Sequence, residues 1–280
     1  MRRATVLFCF LAVLVSVPVV AIEHVDTLLF PVVARTAGTG GSQWVSDLTV
    51  HNLLDDSITV GLQFYPANQA NELDMDFPDR VELGPRETKI IGDVLAEIFG
   101  YDTDIKGMLL VTANASMIDG NNPDANIAAI TRTYNAADPA GTYGQSVPSL
   151  DIFFPLSAPV LATGARFDET YRSNVGIASL ALFQQVTVHY RILGPDGSVA
   201  AEGSRTIPPL SMRQWSFQQL GASASEGAMT VELWLDEDDV GEDPCDFGAP
   251  AIQGYVSKVD NGTGDAEFIP AFWVDQNPCE

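Results

Sequence analysis

The residues with most chemistry to offer are carboxylates. Asp236, Glu237, Asp238, Asp239, Glu242, Asp243 and Asp246 crowd one stretch that follows an apolar-alternating segment. At neutral pH they repel one another, and a bound Ca²⁺ would relieve that repulsion, since it takes roughly six to eight oxygen ligands in flexible geometry. A second oxygen-rich loop, Asp119-Gly120-Asn121-Asn122-Pro123-Asp124, offers the same ligand type. Neither loop has the EF-hand spacing with its closing Glu. A run of acids on an exposed loop is also explained by solvation alone, so both readings stand. Calcium is the one cofactor these loops suggest.

Trp234 is a second lead. In the run Thr230 to Asp236 it shares a face with Thr230, Glu232 and Asp236, opposite Met229, Val231, Leu233 and Leu235. An aromatic flanked by carboxylates can stack on a sugar ring and accept hydrogen bonds from its hydroxyls; packing against the rest of the chain is the plainer account. A third group is Arg132, Tyr134, Asn135, Tyr143 and Gln145. Arg and Tyr are the residue types that anchor partner surfaces. In the alternative, structural reading, Arg132 lies over the Tyr134 ring and the Tyr134 hydroxyl ties down the following loop.

Nothing in the sequence matches a catalytic signature. There is no G-x-S-x-G elbow and no H-E-x-x-H pair. Gly38-Thr39-Gly40-Gly41 precedes a strand-like run instead of following one and opening a helix, so it is no nucleotide fingerprint. His24, His51 and His189 are far apart. Paired carboxylates for glycoside hydrolysis would be visible only in three dimensions. The chain is therefore expected to be non-catalytic.

The elements that must position these residues form two similar series. Trp44-Val45-Ser46-Asp47-Leu48-Thr49-Val50 is answered by Tyr171-Arg172-Ser173-Asn174-Val175-Gly176-Ile177, Ile58 to Phe64 by Val186 to Ile192, and Val147-Pro148 by Ile269-Pro270. Leu29-Phe30-Pro31-Val32 is likewise answered by Phe153-Phe154-Pro155-Leu156. The spacing of about 120 to 128 residues implies two tandem copies of one unit. Within each copy apolar residues alternate with period two, as in Ile58, Val60, Leu62 and Phe64, which predicts half-buried strands. Asp55-Asp56-Ser57, Gly84-Pro85 and Gly194-Pro195-Asp196-Gly197 mark turns. One short helix is predicted from Asp93 to Phe99, with Asp93 as its N-cap and Gly100 just past its end. The fold class expected is all-β: two tandem immunoglobulin-like β-sandwich domains related by internal duplication, Ile22 to Pro148 and Ser149 to Glu280.

Residues 1–21 read as a signal peptide. Arg2 and Arg3 precede an apolar stretch from Ala4 to Val15, and Val19-Val20-Ala21 places small residues at a cleavage site. The stretch is shorter than the roughly 20 residues of a membrane span. A secreted location, periplasmic or extracellular, follows, with no membrane span in the mature chain. Cys245 and Cys279 would then meet oxidising conditions and pair as a disulfide. The chain carries 37 Asp and Glu against 14 Lys and Arg, a net charge of −23. That disfavours nucleic acid, whose phosphates need a basic footprint, and anionic membranes for the same reason.

The run Ile130-Thr131-Arg132-Thr133-Tyr134-Asn135, then Gly141-Thr142-Tyr143-Gly144-Gln145 and Pro148, resembles the RTYN…GTYGQ…P signature of uncharacterised secreted bacterial proteins with tandem immunoglobulin-like sandwich repeats. The Trp44 segment with Asn52, and Arg172-Ser173-Asn174, are similar to that group too. The resemblance implies a non-catalytic binding or structural module of the cell envelope or extracellular space, and brings no catalytic residues. The second copy departs from it, with Val256-Ser257-Lys258-Val259-Asp260 where the first has the Arg-Thr-Tyr-Asn run. Partners expected are a protein or glycan of the envelope. One alternative is a Ca-dependent carbohydrate-binding protein of adhesin or lectin type. Another is self-association, as a subunit joined by strand exchange through its β-rich termini.

Overall fold

The computed structural model describes residues 26–118, 126–138, 141–150, 159–235 and 250–273. Strands make up 59% of it and helix 4%, so the all-β expectation holds. Alternation becomes burial as predicted: in β3 (Ile58–Pro66), Ile58, Val60 and Leu62 are buried while Thr59 and Gln63 stay half-exposed.

The first half contains β1 (Thr27–Ala37), β2 (Gln43–Asn52), β3, β4 (Asp79–Leu83), β5 (Thr88–Ile91), β6 (Ile105–Thr112), β7 (Ile127–Asn135) and β8 (Gly144–Val147). Sheet A has the order β4-β3-β6-β1 and sheet B the order β5-β2-β7-β8. The last residues of β1 also pair with β2, which joins the two sheets at one corner. The second half contains β9 (Val160–Phe167), β10 (Tyr171–Ser179), β11 (Val186–Leu193), β12 (Val199–Ile207), β13 (Ser211–Ser216), β14 (Ser225–Leu235), β15 (Ile252–Asp260), β16 (Ala266–Pro270) and β17 (Phe272–Trp273). Sheet C runs β13-β10-β15-β16, and sheet D runs β12-β11-β14-β9-β17. All pairings are antiparallel. In each half the second strand pairs with the fifth in one sheet, while the third pairs with the sixth in the other. That interlock is the core of immunoglobulin-like sandwiches.

Three apolar clusters set the layer order. One lies between sheets B and A, with Phe30, Leu48, Val60 and Leu109 fully buried. One lies between C and D, around Val175, Val188, Phe217 and Val231. The third draws on both halves: Leu29, Val32, Tyr65 and Met108 meet Ala178, Leu210, Met212 and Tyr255. The sheets therefore stack B, A, C, D, with the outer faces of A and C pressed together. Gly176 permits that contact, because the Tyr255 ring lies where a Cβ at this position would stand.

Two sequence expectations need correction. Leu109 of β6 pairs with both Phe30 and Phe64, whereas Val231 of β14 pairs with Ala162 and Ile192. The positional counterpart of Phe30 is therefore Ala162, and Phe153-Phe154-Pro155-Leu156 falls before it, outside the described residues. The apolar-Pro pattern matched residue types without matching register. The helix is a single turn, Val94–Glu97. Asp93 occupies the N-cap position but in the left-handed region (φ 44°) and makes no side-chain cap bond. Its carboxylate is drawn instead into an ion pair with Arg35. Gly100 ends the segment with φ 71°, a conformation only glycine takes without strain. Among the described residues, no helix is long and apolar enough to cross a membrane.

Candidate functional site

The halves meet along an apolar contact, but one end of the junction is polar. There a cleft of about 340 Å³ opens between sheets A and C. Its first-half wall carries Ala34 and Thr36 from β1, Trp44 from β2, Lys106 from β6, Thr133 from β7 and Gln145 from β8. Its second-half wall carries Arg172 and Asn174 from β10, Gln214 from β13, Ser257 and Val259 from β15, and Ala266 from β16. Strand pairing explains the convergence: Thr133 faces Gln145 across β7–β8, and Asn174 faces Ser257 across β10–β15. A shallower depression of about 490 Å³ shares Trp44 and Arg172 with the cleft and continues it past Asn135 to Asn261 and Thr263.

Two bonds cross the junction here. The Ser257 hydroxyl bonds Gln145 Oε1 at 3.0 Å. Lys106 Nζ donates to Gln214 Oε1 at 3.0 Å. Lysine only donates, so the Gln214 atom facing it must be the carbonyl oxygen, which leaves the Gln214 NH₂ unspent among the described residues. Arg172 donates Nη1 to Asn261 Oδ1 at 2.9 Å. Both cations thus have neutral partners. Burial pulls the Lys106 ammonium below its usual range. Burial also lowers Arg172, against the opposing charge of Asp260. The Asp260 carboxylate is itself engaged: the backbone N–H groups of Thr263 and Gly262 each donate to it at 2.8 Å and hold it below the usual carboxylate range.

The residues singled out in the sequence fall into separate places. Gln145 lines the cleft and Asn135 the adjoining depression. The Asn135 carboxamide oxygen accepts from the backbone N–H of Gln43 (2.9 Å) and of Ala137 (3.1 Å), so it shapes the β7 terminus. Arg132 and Tyr134 lie on the opposite face of sheet B from Thr133 and Gln145, as strand alternation demands. Arg132 lies 5.0 Å from the Tyr134 ring centroid and donates to the carbonyl oxygen of Thr142. The Tyr134 hydroxyl donates to Asp47 Oδ1 at 3.3 Å, and Asp47 also accepts from the Asp93 backbone N–H at 2.8 Å. Burial and the Asp47 charge push the Tyr134 phenol up. It is Arg132, rather than Tyr134, that ties down the loop after β7. Tyr143 is exposed.

Trp234 occupies the outer face of sheet D as predicted, between the buried Leu233 and Leu235. Its ring is stacked on His189, with centroids 5.5 Å apart at 12°, and the Arg191 guanidinium lies 5.4 Å from its centroid. Neighbours on the sheet already use much of its aromatic surface. The proposed calcium ligands Asp236, Asp238, Asp239, Glu242, Asp243, Asp119, Asn121 and Asp124, and the proposed disulfide of Cys245 with Cys279, lie outside the described residues. Among the described residues, no three His, Cys, Asp or Glu side chains form a metal-ligating group.

Sequence reasoning missed Lys106, Arg172, Asn174, Gln214 and Ser257. One signal was present: from Ser173 to Ser179 and from Ile252 to Ser257, β10 and β15 carry no charge on either face. Strands without a charged face are covered on both sides.

No protein-family model matches the chain, nor does any curated protein sequence. Among solved structures, the chain is similar to one in the crystal structure of the T13 IBDV viral particle, at 9% identity over 90% of this chain and 70% of that one. The TM-score is 0.21, too low to carry any argument.

Proposed function

We propose that the protein is an exported, non-catalytic binding module of the bacterial cell envelope or extracellular space, and that its ligand site is the cleft between the two halves. The observation that carries this reading is the concentration of polar groups with spare hydrogen-bonding capacity, from β6, β8, β10 and β13, in one concavity of ligand size. The leader-like residues 1–21 and the RTYN…GTYGQ…P resemblance support export, and the matching strand order of the halves supports their origin as tandem copies. The test is a panel of envelope glycans and small metabolites, read by melting shift on the parent chain and on Ala266→Trp, which fills the cleft from an edge strand. Ligands that raise the parent's Tm and not the variant's place recognition in the cleft. Ligands that act equally on both remove it.

A Ca-dependent carbohydrate-binding role at Trp234 is the second reading. It is favoured by the position of Trp234 on the outer face of β14, directly before the acidic run that opens at Asp236. It predicts a saturable rise in Tm specific to Ca²⁺ over Mg²⁺, about 2.7 kcal/mol at a hundredfold excess over Kd. An unchanged Tm in chelator and in Ca²⁺ discards it.

A further inference from the structure

The hydrogen-bonding state of the cleft residues says what kind of ligand fits. Two carboxamide oxygens on its walls are already engaged, Gln214 Oε1 by Lys106 and Gln145 Oε1 by Ser257, and at its edge Arg172 holds Asn261 Oδ1 of the adjoining depression. Thr133 Oγ1 is bonded to Ser46 Oγ at 2.7 Å. What remains is mainly N–H: the carboxamide NH₂ groups of Gln145 and Gln214, the other protons of the Lys106 ammonium, and the other guanidinium protons of Arg172. No carboxylate is ion-paired with Lys106 or Arg172 among the described residues. The chain as a whole carries 37 acids against 14 bases, so an acidic partner for either cation would not have been scarce. Arg172 feels Asp260, but that carboxylate is already taken up by the backbone N–H groups of Gly262 and Thr263, and a half-buried cation bonded only to a neutral amide is costly unless something else neutralises it.

From this geometry we infer that the cleft takes a small oxyanionic ligand, a carboxylate or phosphate carried on a polar body of about one sugar ring, with Lys106 and Arg172 as its charge partners. The inference rests on the cleft being the ligand site. The anion supplies acceptors for the N–H donors that remain, and its charge offsets the half-buried Lys106 and Arg172. Charge-assisted bonds of this kind are about twice as strong as neutral ones. Asn174, whose carboxamide can donate and accept, suits the neutral hydroxyls of the same ligand. Net negative charge elsewhere on the surface slows the approach of anions and makes their binding sensitive to salt.

Glucose, glucuronate and glucose 6-phosphate share one ring and differ in the anion, so they separate charge from shape. Titrations of the intact exported chain are followed by Trp fluorescence, for which Trp44 in the cleft wall is the reporter, and by calorimetry. The expected result is binding of at least one anion about tenfold or more tighter than glucose, weakened about tenfold by Lys106→Met and by Arg172→Gln. Which anion binds tighter distinguishes carboxylate from phosphate. Lys106→Met is expected to melt no lower than the parent, since it removes a partly buried charge. A lysine that merely fastens the halves through Gln214 would lower Tm when replaced. Equal affinity for glucose and both anions overturns the oxyanion inference and leaves the cleft as a site. Silence toward both anions also overturns it, leaving the cleft to its own ligand panel. Anion binding that survives Lys106→Met, Arg172→Gln and Ala266→Trp overturns the inference and the cleft together.

Discussion

Sheets B and C hold the same place in their respective sandwiches, yet one presents its outer face to solvent and the other presses it against the neighbouring half. On sheet B that face carries Asp47 opposite Arg132, and Thr49 between Ile90 and Ile130. On sheet C the matching positions are Asn174 opposite Ser257, and Gly176 between Gln214 and Tyr255. Charged residues have given way to neutral ones and a bulky β-branched pair to glycine beside a ring. Ile130 is 43% exposed, and its counterpart Tyr255 is 0%. Sheets A and D show the reverse. Sheet A buries Leu29 and Met108 at the junction, whereas the outer face of D carries Glu232 paired with Arg191 at 3.2 Å. The two halves keep one topology and differ where one must dock on the other. The cleft forms at the edge of that docking contact, where half-buried polar side chains replace apolar ones.

The comparison is broken most directly at the matched pair. Tyr255→Ala should cost about 3–5 kcal/mol, since the ring is fully buried and stacked on Phe268 at 5.0 Å. Ile130→Ala should stay within about 0.5 kcal/mol. Urea unfolding of both variants measures the contrast, and equal losses would mean the C face is not docked. Asp93→Ala comes next, at about 1–2 kcal/mol. It removes the partner of Arg35 and places alanine at φ 44°. Because this ion pair belongs to the first half alone, the loss should persist when the junction has been weakened by Tyr255→Ala, a double-variant test of independence. Tyr255→Phe sharpens the comparison in the opposite direction. The Tyr255 hydroxyl is buried without a partner among the described residues, and burial pushes its ionisation far up. Its removal should raise stability by about 1 kcal/mol.

The smallest expected effect is a pH dependence. The folded Lys106 pKa lies below its unfolded value of 10.5. Between the two the unfolded chain binds more protons, so stability rises with pH across that window. The parent should therefore gain stability relative to Lys106→Met as pH climbs through the folded pKa toward 10.5, and the gap should be constant at lower pH. Parallel curves throughout would place Lys106 in solvent.

Strand content was legible because it lives in local alternation: Val186, Val188, Tyr190 and Ile192 show one buried face without any knowledge of partners. The register of β9 was not, because Phe153-Phe154-Pro155-Leu156 imitates Leu29 to Val32 in composition, and only pairing to Val231 reveals Ala162 as the true counterpart. The helix was overextended because apolar periodicity continues through Ile98 and Phe99, whereas these pack on the first-half core after one turn. Gln145 and Asn135 were found through the resemblance, but strand parity divides them from Arg132 and Tyr134. The cleft was invisible because Lys106, Arg172 and Gln214 are distant in sequence, and their common property, cations and amides without carboxylates, exists only after the halves dock.

The central claim is that recognition occurs where the halves meet and not on the outer faces. Hydrogen exchange of backbone amides, with and without glucuronate or glucose 6-phosphate, tests it directly. The account predicts added protection at Lys106 in β6, at Arg172 to Gly176 in β10 and at Ser257 to Val259 in β15, with Arg132 to Asn135 and Thr230 to Leu235 unchanged. Protection confined to the Arg132–Tyr134 face or to the strand bearing Trp234 would contradict it.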